Sequence, residues 1–211
     1  MAEQAKIIKL HRSSLSAPCL YTLKIEIKPN EIQPIIWRRI EVDGRIGLSK
    51  LHHFIQTAFG WTDAHLHQFT IRDLTYGIPD PEDDFFELEI KDERKAFLNR
   101  LLADDEVFTY VYDFGDYWEH IITVESVAMN VKFDPSGGAV VIGGERACPP
   151  EDVGGAGGYQ DFLEAIFVDP HSDEAHEMLE WVGGMFDPNY FDIRTANASI
   201  LRMLYNKWGG K

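Results

Sequence analysis

The residues best suited to chemistry fall in three short segments of the 211-residue chain. The first is His65-Leu66-His67-Gln68-Phe69. If it is a strand, His65 and His67 share a face, because side chains alternate across a pleated backbone. Two imidazoles on one face can hold a divalent metal, with carboxylates completing the shell. The second segment, Asp113-Phe114-Gly115-Asp116-Tyr117-Trp118-Glu119-His120, supplies two carboxylates and another imidazole. The candidate metal ligands are therefore His65, His67 and His120, with Asp113, Asp116 and Cys148 in reserve. Paired carboxylates at a hairpin tip can also transfer protons or bind a cation. The third segment, Cys148-Pro149-Pro150-Glu151-Asp152-Val153, adds Cys148 and Asp152. Trp118 shares a strand face with His120 and joins the set. The candidate site is then His65, His67, Asp113, Asp116, Trp118, His120, Cys148 and Asp152.

Each of these residues also has a structural reading. His67 shares its face with Phe69 and Ile71, which suits a hydrogen-bonded core histidine. Asp113 can cap its own turn while Gly115 supplies a positive φ. The run Gly154-Gly155-Ala156-Gly157-Gly158 precedes a helix, where free N–H groups bind anions. It lacks the Lys and Ser/Thr of a phosphate-binding P-loop, and Glu151 and Asp152 beside it repel anions. It reads mainly as a shaped loop. A polar network joining the sheet to this loop is the preferred account of the three segments. Arg38 and Arg39 follow Trp37 on a strand, so one of them points to the buried side and needs a partner. An Asp or Glu of the turn segment is the expected one, and a clamp for an oxyanion or a substrate carboxylate is the alternative.

Four segments together carry a resemblance: Ile36-Trp37-Arg38-Arg39, Gly60-Trp61 through Phe69, Tyr112 through His120, and Cys148 through Tyr159. In this order they resemble the plasmid pRiA4b ORF-3-like family, over residues 21–190. The resemblance implies an α+β domain found in prokaryotes and on mobile elements, and implies no activity. Some relatives carry a resolvase label. This sequence has no basic helix-turn-helix tail and no serine-recombinase motif to match it.

The elements that must position these residues follow from periodicity. Tyr21, Leu23, Ile25 and Ile27 alternate with polar residues, giving a half-buried strand over 21–28. Residues 35–42 form a second strand paired with it. Leu48, Leu51, Ile55, Ala58 and Phe59 make one helical stripe over 48–59, ended by Gly60. His52 flanks this stripe, and His53 points away and should be exposed. A strand over 66–72 leads into an acidic loop over 76–84, a short strand over 85–90 and a short helix over 92–102. Residues 107–113 and 118–127 form a hairpin around the Phe114-Gly115-Asp116 turn. No long element is expected over 134–158. Helices follow over 159–168, 173–182 and 195–205, each near a capping residue. The expected fold class is α+β: an antiparallel sheet built from N-terminal and central hairpins, packed with a central helix and C-terminal helices. Residues 1–19 read as a loose leader, and residues 20–211 as one domain.

Composition limits function. Twenty basic residues against 35 acidic ones give a net charge of −15. Phosphate contacts supply most nucleic-acid affinity, so direct binding to DNA or RNA is not expected. No apolar run approaches the ~18 residues of a membrane span, and no signal peptide is read. Cys19 and Cys148 lie far apart and read as reduced thiols in a cytoplasm. The function expected is a non-catalytic binding or interaction module for a small molecule or protein. The alternatives are a metal-dependent hydrolase using the His/Asp cluster and a divalent ion, and an accessory protein in DNA transactions.

Overall fold

The computed structural model describes residues 18–28, 32–79, 90–129, 131 and 138–208. Strand β1 (Cys19–Ile27) keeps the alternation read from the sequence. Cys19, Tyr21, Leu23, Ile25 and Ile27 are buried, and the residues between them are half-buried. β1 pairs antiparallel with β2 (Trp37–Asp43) on one side and β7 (Trp118–Met129) on the other. β6 (Val107–Tyr112) forms the expected hairpin with β7, and β3 (His67–Ile71) pairs with β6. β4 (Leu74–Gly77) and β5 (Lys91–Asp92) extend that edge, and β8 (Ala139–Glu145) closes the other. The eight strands lie in the order β5-β4-β3-β6-β7-β1-β2-β8, antiparallel except for β4 with β5.

Helix α1 (Leu48–Phe59) ends as expected: Gly60 takes φ 97° and its N–H donates to the Gln56 carbonyl. Leu51, Phe54 and Ile55 are fully buried against the apolar face of the sheet. After the sheet come α3 (Gly155–Val168), α4 (Asp173–Trp181) and α5 (Ile193–Tyr205), α5 lying on α1 and β8. Ser172 caps α4 by accepting from Ala175 N–H, and Asp192 caps α5 by accepting from Arg194 N–H. The protein is α+β.

Register decides which functional groups meet. His67 faces Tyr112 and Tyr112 faces Trp118 across the central strands. In the next row Phe69, Tyr110, His120 and Ile27 lie opposite one another. Arg38 lies opposite Ile25. All of these point to the buried face.

Several elements differ from expectation. β8 falls where no long element was read. Its pattern is weak because it is an edge strand with Gly143 and Gly144 at a register shift opposite Arg39 and Arg38. Gly144 is required there: a Cβ would stand 2.7 Å from the Phe191 ring and 2.9 Å from Arg38 Cδ. The helix expected over 92–102 is broken into the end of β5, a 3₁₀ turn over Glu93–Lys95 and a single turn, α2 (Leu98–Leu101). Phe97 bridges to Gly47, and this pairing holds the backbone extended between the two turns. Tyr76 and Gly77 belong to β4, not to a loop. The short strand expected over 85–90 lies outside the described residues but for Ile90, which is in no element. No helix among the described residues is long and apolar enough to cross a membrane.

Truncating Ile55 to Ala should cost about 2–5 kcal/mol in urea unfolding, the usual range for a buried aliphatic with no room to collapse. A loss below about 1 kcal/mol would mean this helix face carries little of the core.

Candidate functional site

The three segments singled out in the sequence do meet, though not as one ligand set. β3 begins at His67, so His65 sits in the bend before it and is not held to the strand face. The three histidines accordingly go to three places.

His65 turns towards the hairpin tip and the loop before α3. Its Nε2 lies 3.1 Å from Asp152 Oδ1, 3.6 Å from Asp113 Oδ2 and 3.9 Å from Glu151 Oε2. That nitrogen is fully buried and has no hydrogen-bond partner. Asp113 is anchored by one oxygen and presents the other, while Glu151 is anchored mainly through Oε1 and its Oε2 also accepts from Tyr112 Oη at 3.2 Å. Asp113 Oδ1 accepts from Gly115 N–H at 2.8 Å. Glu151 Oε1 accepts from Thr62 N–H at 2.7 Å and from Thr62 Oγ1 at 3.0 Å. Tyr112 Oη donates to Glu151 and accepts from Ala64 N–H. Asp152 is the open member, its side chain 69% exposed. Among the described residues, no Lys or Arg is paired with Asp113, Glu151 or Asp152.

The hairpin tip is shaped for this role by Asp113 and Tyr117, which take φ 57° and 56°. Gly115 does not have the positive φ expected of it; the turn closes through Tyr117 N–H to the Asp113 carbonyl at 2.7 Å. Asp116 docks on the start of α3: its Oδ2 accepts from Gly154 N–H at 3.1 Å. One N–H at that helix start therefore already faces a carboxylate, which weighs against the anion-binding reading of the Gly run. Gly155, at φ 69°, must be glycine, since a Cβ would come within 2.6 Å of the Asp116 carbonyl oxygen.

His67 lies in a different, buried network. Its Nε2 donates to Glu93 at 2.8 Å, and both side chains are at most 5% exposed. Its ring stacks on His52 at 3.4 Å and 4°. His52 Nε2 donates to Asp63 at 2.6 Å, and its Nδ1 accepts from Tyr110 Oη at 2.7 Å. The assignment follows from Asp63, which can only accept. Burial pushes His52 down to about 4, against the pull of Asp63. His53 is not exposed as expected: its Nδ1 lies 3.0 Å from Asp63, which draws it onto the surface.

His120 is fully buried between Phe59, Trp61 and Tyr110. Its Nδ1 donates to the Trp118 carbonyl at 2.9 Å, leaving Nε2 without a donor. Burial lowers its pKa to about 4. Trp118 is also buried, its Nε1 without a partner. These two form the floor under Trp61.

Trp61 in turn forms one wall of a cleft of about 660 Å³ between the end of α1, residues 147–152 and the C-terminal helices. Trp181, Phe186, Tyr190 and Phe191 supply other walls, and Cys148, Glu151 and Asp152 line it as well. Burial drives the Cys148 thiol well above its ordinary pKa, so it stays protonated.

Arg38 reaches this cleft and is 2% exposed. Its partner is not the carboxylate expected. It donates to the carbonyls of Trp37, Ala58, Glu145 and Arg146, all at 2.8–2.9 Å. Its guanidinium lies 4.9 Å from the Phe59 ring centre and 4.1 Å from that of Phe191. Arg39, on the wet face, pairs with Glu125.

Sequence reasoning did not select Glu151, His52, Asp63 or Glu93. Glu151 was visible as the acid beside Asp152. The link from His52 to Asp63 needs the turn after α1, and no spacing rule predicts it.

Residues 20–195 match the family described as plasmid pRiA4b ORF-3-like protein. The chain is 37% identical, over 195 residues, to the uncharacterized protein y4hQ of Sinorhizobium fredii, covering 90% of this chain and 95% of that one. It is also similar to a crystal structure of a protein of unknown function, MM3350, from Methanosarcina mazei Go1. There the TM-score is 0.71 at 31% identity, covering 85% of this chain and 98% of that one.

Proposed function

The chain belongs to the plasmid pRiA4b ORF-3-like family, and we propose that it is a binding module that holds a divalent metal ion between His65, Asp113, Glu151 and Asp152. The observation that carries this reading is the buried Nε2 of His65, which has no hydrogen-bond partner and faces three carboxylate oxygens at 3.1–3.9 Å. Metal bonds of about 2.0–2.2 Å to His and carboxylate ligands place neighbouring ligand atoms of a tetrahedron about 3.3–3.6 Å apart. The observed spacings bracket that range. Three carboxylates around one imidazole also carry a charge that a divalent cation would neutralise. The anchoring of Asp113 and Glu151 through their other oxygens is the outer-shell support that metal ligands commonly have. One nitrogen and three oxygens suit Zn²⁺ or Mn²⁺.

The measurement is calorimetric titration of metal-free protein with Zn²⁺ and with Mn²⁺. One ion per chain should bind, and Asp152→Asn and His65→Gln should each weaken it by about 10-fold or more. Asp63→Asn is the control, because His52, His53 and Asp63 form a second group of potential ligands. Binding lost in Asp63→Asn but kept in the other two variants would refute the assignment.

Metal-dependent hydrolysis is the second reading. It draws on Glu151 and Asp152 lying both at the cluster and in the cleft, where a metal-bound water would meet a ligand. The accessory role in DNA transactions gains no support from the following basic residues. Lys28, Arg39, Arg45, Arg72 and Arg94 are each engaged with a carboxylate.

A further inference from the structure

We propose that the 660 Å³ cleft is a binding site for an apolar molecule bearing a single carboxylate, with the carboxylate seated against Arg38. This goes beyond the metal reading and rests chiefly on Arg38 and the aromatic walls, although Glu151 and Asp152 border both sites.

The argument starts from the charge of Arg38. A guanidinium has five N–H groups. Four of them donate to backbone carbonyls, which satisfies those hydrogen bonds without neutralising the cation. Among the described residues, no carboxylate lies within ion-pair distance of it. A side chain 2% exposed has also lost most of its water. Burying a charge is costly unless a counter-charge accompanies it. Here the described residues supply aromatic faces and carbonyl dipoles but no anion. One N–H and one unit of positive charge remain, and Arg38 forms part of the cleft surface.

The rest of the cleft specifies the body of the ligand. Trp61, Trp181, Phe186, Tyr190 and Phe191 line it, a wall suited to aromatic or aliphatic groups. Its volume falls within the range of small-molecule sites. Trp181 and Tyr190 are more than half exposed and stand at the entrance. The charge count sets the anion. Glu151, Asp152 and Asp192 also line the cleft, so a dianion such as a phosphate monoester meets repulsion there. A monoanion deep in the cleft is opposed least.

The test uses two matched pairs: 2-naphthylacetate against 2-naphthylacetamide, and octanoate against octanamide. Affinity is read by tryptophan fluorescence, since Trp61 and Trp181 line the site, with calorimetry as a check. Each carboxylate should bind about 10-fold or more tightly than its amide, as expected for a charge-assisted contact in a dry site. The preference should persist in excess EDTA. Ser199→Trp, on the α5 side of the cleft, should fill it and weaken both carboxylates by at least about 10-fold while leaving the unfolding midpoint near that of the parent. Equal affinity for acid and amide, no binding of either acid, or unchanged binding in Ser199→Trp would overturn the proposal. So would a carboxylate preference that appears only with added Zn²⁺, because the anion would then sit on the metal instead of Arg38. Failure of the metal reading shows separately, as absence of Zn²⁺ and Mn²⁺ binding in the parent protein.

Discussion

Arg38→Lys is expected to destabilise the protein by at least about 3 kcal/mol, read from the urea midpoint at constant slope. The charge is retained, so a purely electrostatic role predicts little change. The geometry predicts a large one. Arg38 serves carbonyls of Trp37, Ala58, Glu145 and Arg146 from three separate parts of the chain. A lysine ammonium has three donors on one atom and cannot span that fork. Each buried carbonyl left without a donor costs about 1–3 kcal/mol. The lysine also loses the contact of the guanidinium with the Phe59 and Phe191 rings. A loss under about 1 kcal/mol would show that water or backbone shifts replace these bonds.

Stability should fall by several kcal/mol as the pH drops from about 6.5 to about 4, and should be nearly flat from pH 7 to 8. His52 and His120 are held neutral by burial, each with a pKa of about 4 against an ordinary 6.5. In the unfolded chain both take up protons below about pH 6.5. Within this window the unfolded state binds more protons, so stability rises with pH and is lost on acidification. A depression of this size corresponds to about 3 kcal/mol per histidine, at about 1.4 kcal/mol per pH unit. Asp63 adds to the loss only lower down. Burial pushes its carboxyl up, but hydrogen bonds from His52 and His53 outweigh that and hold it below the usual carboxylate range. Urea unfolding at pH 7 and pH 4.5 measures the effect. Equal stability at the two values would mean that neither imidazole is held neutral in the fold.

What the sequence revealed follows from which interactions are local. The alternation of Tyr21, Leu23, Ile25 and Ile27, the stripe of α1 and the 107–127 hairpin depend on neighbours a few residues away, and each is present. β8 was not legible because its identity comes from pairing with β2 and from the space under Phe191, neither of which leaves an apolar period. The same division runs through the candidate site. Asp113 and Asp152 stood out because turn chemistry and acidic motifs are local. Their approach to His65 is not, and nor is the departure of His67 and His120 to other networks. The separation of His65 from His67 turns on where β3 begins, and a shift of two residues there decides whether His65 belongs to the strand or to the bend. The partner of Arg38 was misjudged for a related reason. A carboxylate is the usual answer to a buried cation, whereas four backbone carbonyls converge only when β2, β8 and the end of α1 are in place.

The latch between Asp116 and Gly154 gives the protein an order of assembly. The two residues are 38 positions apart, and their contact holds the hairpin tip against the loop that carries Glu151 and Asp152. During synthesis His65 and Asp113 emerge first and face only half of their final surroundings. The loop carboxylates hold their places beside them once the chain past Gly154 has left the ribosome and closed on the tip. A cation held between these groups would thus be bound by a chain that extends past Gly154 and not by shorter nascent fragments, so its uptake would report closure of the tip on this loop.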